Sequence, residues 1–384
     1  MNGSVTTSLG DLTQQLDRFE SVLSDVEYRL LGMRSKIGGP FVRETKKGSE
    51  TSAQKLNRVQ ADDFIYSRLF AWQGSFGLIP EDMDGCYVSN EFPLFKLNNS
   101  RIEPKFLVYW FGLPHIQKIV EADCTGSTPG TRNRYKEDFF NALKIELPAL
   151  NEQRRIVAKI ESLVSKINEA RQLRQAIQTD AQAMLRSTFQ QIIEGAEYRP
   201  MAEVAPIIRR PVKIELESEY PELGVRSFHK GTFFKCISKG TEIAHKKMFH
   251  IEPGDLIFSN IMAWEGAIAV AQPKDEGRIG VHRFITCVPI EGVATSDFLG
   301  FYFQTRKGFQ RIVEASPATI ARNRTLSVRK LEKIEVPIPP YNKQLWFNRI
   351  QAQVAAIQQA QADNQVEFDA LFPSLLNKAF KGEL

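Results

Sequence analysis

The stretch that decides the fold is ADDFIYSRLFAWQG at residues 61–74, because it returns as PGDLIFSNIMAWEG at residues 253–266. Each copy runs from an acidic turn through three β-forming apolar residues to Ala-Trp-x-Gly. The step from Ala71 to Ala263 is 192 residues (263 − 71). The same step carries YRLLGMRS at 28–35 onto YPELGVRS at 220–227. Downstream it drifts only slightly: QKIVEA at 117–122 meets QRIVEA at 310–315, Arg132-Asn133-Arg134 meets Arg322-Asn323-Arg324, and KIELP at 144–148 meets KIEVP at 333–337. Upstream, Leu9-Gly10-Asp11-Leu12 falls opposite Met201-Ala202-Glu203-Val204. Shared order at a nearly constant step marks an internal duplication. A duplicated fold accounts for the recurring glycines and apolar positions, and less easily for Arg-Asn-Arg recurring in a polar, loop-like setting.

Each copy ends in a long helical pattern. No proline or glycine interrupts residues 151–194, and Ile156, Ile160, Leu163, Ile167, Ala170, Ile177, Ala181 and Met184 fall on steps of four and three, with Arg174 alone breaking the seam. Such a heptad stripe requires a partner helix. Asn151 and Glu152 suit the start and Gly195 the end. After the second copy, Ile350, Val354, Ile357, Phe368, Leu371 and Leu375 repeat the spacing, Gln361 and Asn364 fall in the seam, and Pro373 marks a kink in the last turns. Met184-Leu185 and Phe189 fall opposite Leu375-Leu376 and Phe380. Two such helices separated by a globular region pair most simply with each other, antiparallel.

The globular regions hold short β-rich runs such as Phe64-Ile65-Tyr66, Leu256-Ile257-Phe258 and Phe284-Ile285-Thr286, with short helices expected at 106–120 and 298–314. The expected fold is α+β with an irregular, mostly antiparallel sheet: two globular regions (1–148 and 196–337), each followed by a long helix (149–195 and 338–384), related by an internal pseudo-two-fold repeat.

Composition sets limits. The 384 residues are 42% hydrophobic and 25% charged, ordinary globular values, with a net charge of +5. A pI of about 8.9 is basic enough for nucleic acid and far from a histone-like tail. Cys86, Cys124, Cys236 and Cys287 form no metal-ligand spacing and suit a reducing cytoplasm. Residues 1–11 do not read as a signal peptide, and no apolar run reaches the length of a membrane span.

The segments that open the two helices, ELPALNEQRRIVAKIESL from Glu146 and EVPIPPYNKQLWFNRIQ from Glu335, resemble the specificity subunits of type I restriction–modification systems. The family's pattern there is a short apolar-proline stretch, Glu-Gln, then a long periodic helix. The ending SLLNKAFKGEL at 374–384 is similar to the family's usual C-terminus. The second copy departs from the pattern, with Lys343 where the first has Glu152. The resemblance implies a non-catalytic protein whose globular regions are target-recognition domains, each reading one half of a split sequence in double-stranded DNA. It implies that the paired helices act as a ruler and as the docking site of two modification (methyltransferase) subunits, joined by restriction subunits. S-adenosylmethionine, ATP and magnesium would belong to those partners, with no cofactor here.

Ile338-Pro339-Pro340-Tyr341 imitates the Asn/Asp-Pro-Pro-Tyr of adenine methyltransferases, but isoleucine cannot accept a hydrogen bond from the target amine. The prolines read instead as the start of a helix. There is no Walker lysine motif. Asp255, Glu265 and Glu276 lack the spacing of a nuclease site, and His115, His229, His245, His250 and His282 form no HxH or HExxH pattern.

DNA reading needs basic and hydroxyl groups for phosphates and discriminating side chains for base edges. Arg34, Ser35 and Lys36, with Arg226 and Ser227 in the second copy, follow Leu-Gly-x, where glycine would let the backbone approach a phosphate. Arg132, Asn133, Arg134, Arg322, Asn323 and Arg324 offer the arginine–guanine and asparagine–adenine pairings. Lys46, Lys47, Lys246 and Lys247 read as phosphate contacts. Positions that differ between copies are candidates for specificity: Arg68 stands opposite Asn260, and Gln73 opposite Glu265. Trp72 and Trp264 agree between copies and read as scaffold. The rival function is a coiled-coil scaffold with duplicated protein-binding domains, which would be indifferent to DNA.

Overall fold

A computed structural model describes residues 5–124, 133–318 and 324–384. The chain divides into two compact units: Met1–Leu173 with Asp363–Leu384, and Arg174–Ala362.

In the first unit, five strands lie in the order Phe19–Ser21, Lys55–Arg58, Tyr87–Val88, Glu27–Met33, Pro40–Lys47. Four more lie in the order Thr13–Leu16, Leu94–Leu97, Phe64–Tyr66, Phe76–Leu78, and Val5–Ser8 pairs with Lys144–Leu147. In the second, four strands run Thr232–Lys239, Glu219–Val225, Ile279–Val281, Met248–His250; three run Ile268–Val270, Leu256–Ser259, Phe284–Cys287; and Glu197–Pro200 pairs with Glu335–Ile338. The one parallel pairing in each unit, among the described residues, is Leu30 opposite Tyr87 and Glu222 opposite Ile279, a step of 192 apart on both strands. Both long hairpins carry a bulge at the same place, between Leu30 and Leu31 and between Glu222 and Leu223. The expected α+β class with mostly antiparallel sheets is what forms.

The repeated 14-residue stretch supplies the centre of each core. Phe64, Ile65 and Tyr66, like Leu256, Ile257 and Phe258, are fully buried, as β-forming runs in the middle of a sheet should be. The following Ala-Trp-x segments, Ala71–Gln73 and Ala263–Glu265, are single 3₁₀ turns closed by Gly74 (φ 76°) and Gly266 (φ 79°), a left-handed geometry that glycine takes without a Cβ clash. Around this frame the first unit is strongly aromatic, with Phe76 stacked on Phe111 at 3.9 Å and Phe95 against Phe140 at 4.5 Å.

The central helix, Leu150–Ile193, gives its first half to one unit and its second half to the other. In the first unit Ile156, Val157 and Ile160 join the core with Leu376 and Ala379 of the helix Gln365–Lys381, while Arg171 lies over Phe368 at 5.7 Å. In the second, Arg174 Nη2 donates to the Gln361 carbonyl at 2.5 Å and Phe189 packs on Phe347 at 5.4 Å. In both, rising numbers on one helix meet falling numbers on the other, so the pairing is antiparallel. The helix ends dock alike: Phe380 packs on Phe106 at 4.8 Å, and Phe189 on Phe298 at 5.0 Å.

The seam differs in detail from the expected heptad. Ile177, Met184, Ile357 and Leu371 are about half exposed, while Leu185, Phe189 and Ile192 are buried. A straight helix of 3.6 residues per turn drifts ~20° per heptad, so the strict four–three alternation gives way to steps of four through Ala181, Leu185, Phe189 and Ile193. Arg174 does not interrupt the seam. It lies half-buried in it and satisfies the Gln361 carbonyl, one of those left without an intrahelical partner where Tyr341–Asp363 ends. That end falls before Asn364, which is exposed rather than in the seam; Pro373, where a kink was expected, lies inside the helix Gln365–Lys381. Among the described residues no helix is long and apolar enough to cross a membrane.

Candidate nucleic-acid interface

In each unit the long hairpin ends in a turn that leans on the 3₁₀ segment. In the first unit the turn closes with Gly38 N–H donating to the Ser35 carbonyl at 3.1 Å, and Arg34 N–H to the Gly39 carbonyl at 3.0 Å. Lys36 and Ile37 both take left-handed backbone, φ 55° and 50°. Their N–H groups donate to the carbonyls of Gln73 (2.8 Å) and Gly74 (2.7 Å), and Ser35 Oγ donates to Gln73 Oε1 at 2.9 Å. The second unit repeats this construction: Phe228 and His229 have φ 59° and 54°, their N–H groups donate to Glu265 and Gly266 at 2.8 Å each, and Ser227 Oγ donates to Glu265 Oε2 at 3.4 Å. Arg34, Ser35, Lys36 and Gln73 are thus brought together, and so are Arg226, Ser227 and Glu265.

The glycine ahead of each turn has a different task from the one expected. A Cβ on Gly32 would stand 2.9 Å from the Phe41 ring, and one on Gly224 2.3 Å from the Phe233 ring. The same rings carry Arg34 at 4.7 Å and Arg226 at 4.8 Å. The glycine makes room for an aromatic platform under the arginine, and the phosphate approach inferred for it is not needed to explain it.

The residues that follow the Arg-Asn-Arg segments return to a strand end. Tyr135 N–H donates to the Arg68 carbonyl at 3.0 Å, and Leu326 N–H to the Asn260 carbonyl at 2.7 Å. Arg132, Arg322 and Asn323 lie outside the described residues; Asn133 is half-buried and Arg134 exposed. In the first unit both arginines are engaged by carboxylates. Arg68 pairs with Glu137 and donates to the Asn90 carbonyl, and Arg134 grips Glu91 bidentately at 2.7 and 3.0 Å. The Arg134 guanidinium holds the Glu91 carboxyl below the usual carboxylate range. In the second unit, Arg324 lies over the Trp264 ring at 5.7 Å. Asn260 Oδ1 is buried without a hydrogen bond among the described residues. Arg283 stands at the step of 192 from Glu91, reversing the charge, and is exposed with no ion pair among the described residues. Arg283 escaped the sequence reading, although the repeat step applied to Glu91 points to it. Trp72 and Trp264 each donate Nε1–H to a carbonyl three residues back, at 3.1 and 3.0 Å, as scaffold would.

The lysine pairs do not join this surface symmetrically. Lys46 and Lys47 lie opposite Tyr28 and Glu27 at the far end of the hairpin, ~20 Å of strand from its turn, and Lys46 Nζ contacts Glu44 at 3.1 Å. Lys246 and Lys247 follow a different segment, Gly240–Ile243, and the residue one repeat before Lys247 is Lys55. Asp255 is held by Arg210 at 2.8 Å, and among the described residues no three His, Cys, Asp or Glu side chains gather as a metal site.

Residues 32–179, which include the first of these turns, match the family model of the type I restriction modification DNA specificity domain. Over this segment the chain is similar to the DNA specificity domain of type I restriction–modification systems. The type I restriction enzyme HindI specificity subunit of Haemophilus influenzae is 22% identical over 187 residues, 47% of this chain and 40% of that protein, so the match spans less than half of the curated relative. The whole chain superposes on the HsdS subunit from Thermoanaerobacter tengcongensis with a TM-score of 0.62 at 21% identity, covering 98% of that chain. It superposes with a TM-score of 0.68 at 22% identity on 99% of a chain from a structure of type I restriction–modification complex assembly and conformational transition. At these identities the likeness is one of fold, and it covers both copies of the internal repeat.

Proposed function

We propose that this chain reads a two-part sequence in double-stranded DNA, one half by each unit, as the non-catalytic specificity subunit of a type I complex in a prokaryotic cytoplasm. The observation that carries the reading is the hairpin turn built twice on the same hydrogen bonds, with different exposed side chains at its tip, Lys36 against Phe228; the repeat also sets a half-buried Glu91 against an exposed Arg283. A shared frame with exchanged side chains is what two different half-sites require. Arg34, Lys36, Arg226, Arg283 and Arg324 supply phosphate contacts or base contacts in this reading, and Lys55 and Lys247 the flanking backbone contacts. Arg68 and Arg134 act after exchanging Glu137 and Glu91 for DNA, or hold the loop in place.

The helices Leu150–Ile193, Tyr341–Asp363 and Gln365–Lys381 act in this proposal as the spacer between half-sites and as the docking site for two modification subunits, with restriction subunits joining that core. S-adenosylmethionine, ATP and magnesium are assigned to those partners. A rise of 1.5 Å per residue makes helix length a measure of distance. Four residues inserted within 171–181, with a compensating insertion in the paired helix, should change the gap between half-sites and leave both half-sites as they were; methylation-site sequencing reads this directly, and an unchanged gap rejects the spacer role. DNA affinity of the full chain should fall about a thousandfold between 50 and 200 mM salt. Salt-insensitive association with protein alone would favour the scaffold reading.

A further inference from the structure

We propose that Phe228 is a base-contacting residue of the second unit, the apolar counterpart of a phosphate-contacting Lys36 in the first; this rests on the DNA reading above.

Two successive non-glycine residues with positive φ at a hairpin tip are a costly choice, since such turns favour Asn-Gly. Both units make it, and both hold it by the same pair of N–H bonds to the 3₁₀ segment. In both units this construction leaves the side chain at the first of the two positions, Lys36 or Phe228, exposed. In the first unit the occupant is lysine. In the second it is a phenylalanine 71% exposed, which contributes nothing to the core. Its neighbour His229 turns inward, packing its ring on Phe309 at 5.6 Å, so the tip is anchored from below. Arg226 and Ser227 precede Phe228 in the chain, and Lys230 lies over its ring at 5.9 Å. An apolar ring rimmed by cations fits a nucleic-acid groove: the cations take phosphates while the ring takes the apolar surface of a base, either a thymine 5-methyl group or an opened base step.

The test compares the full wild-type chain with Phe228→Ala, Phe228→Leu and Lys36→Ala on duplexes carrying the two half-sites that methylation mapping defines. Circular dichroism confirms folding. Phe228→Ala should weaken specific binding about tenfold, leave the slope of log affinity against log salt unchanged, and relax discrimination at the second half-site alone; Phe228→Leu should recover part of the loss. Lys36→Ala should lower the salt slope by about one and weaken all sequences alike. Replacing thymine by uracil in the second half-site reproduces the loss if the methyl group is the contact, and 2-aminopurine fluorescence rises if a base step opens; either result supports the assignment. Wild-type behaviour of Phe228→Ala, or a loss equal on non-specific DNA, overturns it while leaving the DNA reading intact. A wild-type chain that binds no DNA overturns both.

Discussion

Replacing Gln153 by leucine should destabilise the first unit by about 3 kcal/mol, because three backbone groups, one buried and two partly buried, lose their partner at once. Gln153 is fully buried. Its Nε2 donates to the carbonyls of Pro148 (2.9 Å) and Arg101 (3.1 Å), and its Oε1 accepts from Glu103 N–H at 2.9 Å. The side chain thus ties the start of the central helix to the strand end before it and to the loop ahead of Pro104–Phe111. Gln344 does the same in the second unit, donating to Pro339 and Val293 at 2.9 Å each and accepting from Thr295 N–H at 3.1 Å. Gln344→Leu should therefore cost the second unit a similar amount. Chemical unfolding followed by a probe in each unit should show each variant moving one transition only, and the double variant moving both. A loss below about 1 kcal/mol for either would mean the clamp is replaced by water. The neighbouring Glu152, which pairs with Arg155 on the surface at 2.8 Å, contributes little by comparison, so Lys343 in its place carries no penalty.

The second large effect concerns a repeated ion pair. Asp63 is almost fully buried, gripped by Arg18 at 2.6 and 2.9 Å and by Gln60 N–H at 2.7 Å. One repeat later Asp255 is gripped by Arg210 at 2.8 and 3.2 Å and by Glu252 N–H at 3.0 Å. Removing one member of such a pair strands the other and its hydrogen-bonding neighbours. Asp63→Ala should cost about 3 kcal/mol, somewhat below the fully buried limit because Arg18 keeps partial access to water. Asp255→Ala should cost about 2 kcal/mol, since Arg210 retains Glu252 at 3.0 Å. The order of the two losses in thermal unfolding is the informative part: the reverse order would mean that Glu252 gives Arg210 no support.

Duplication, strand runs and long helices were legible because each is written in local pattern: a constant step, three apolar β-formers, an uninterrupted periodic stripe. The Gln-Pro arrangement at the helix starts was legible as a motif but not as a clamp, since the groups that Gln153 satisfies lie up to 52 residues away. Distance in sequence also hid the fate of the arginines. Nothing near Arg68 announces Glu137, 69 residues on, or near Arg134 announces Glu91, 43 residues back. Lys46 and Lys47 looked equivalent to Lys246 and Lys247 by composition; the register of the hairpin, with Lys46 opposite Tyr28, separates them. Phe228 was passed over because an exposed aromatic is invisible until burial is known, whereas the repeat step from Lys36 already marked its position.

The most direct measurement is the methylation pattern of DNA modified by the system's own modification subunit with and without this chain, and with residues 196–337 exchanged for those of a relative. A single two-part motif with a fixed gap should appear only when the chain is present, and the exchange should alter one half of the motif and neither the other half nor the gap. A contiguous motif, or a pattern indifferent to the presence or exchange of this chain, would contradict the assignment.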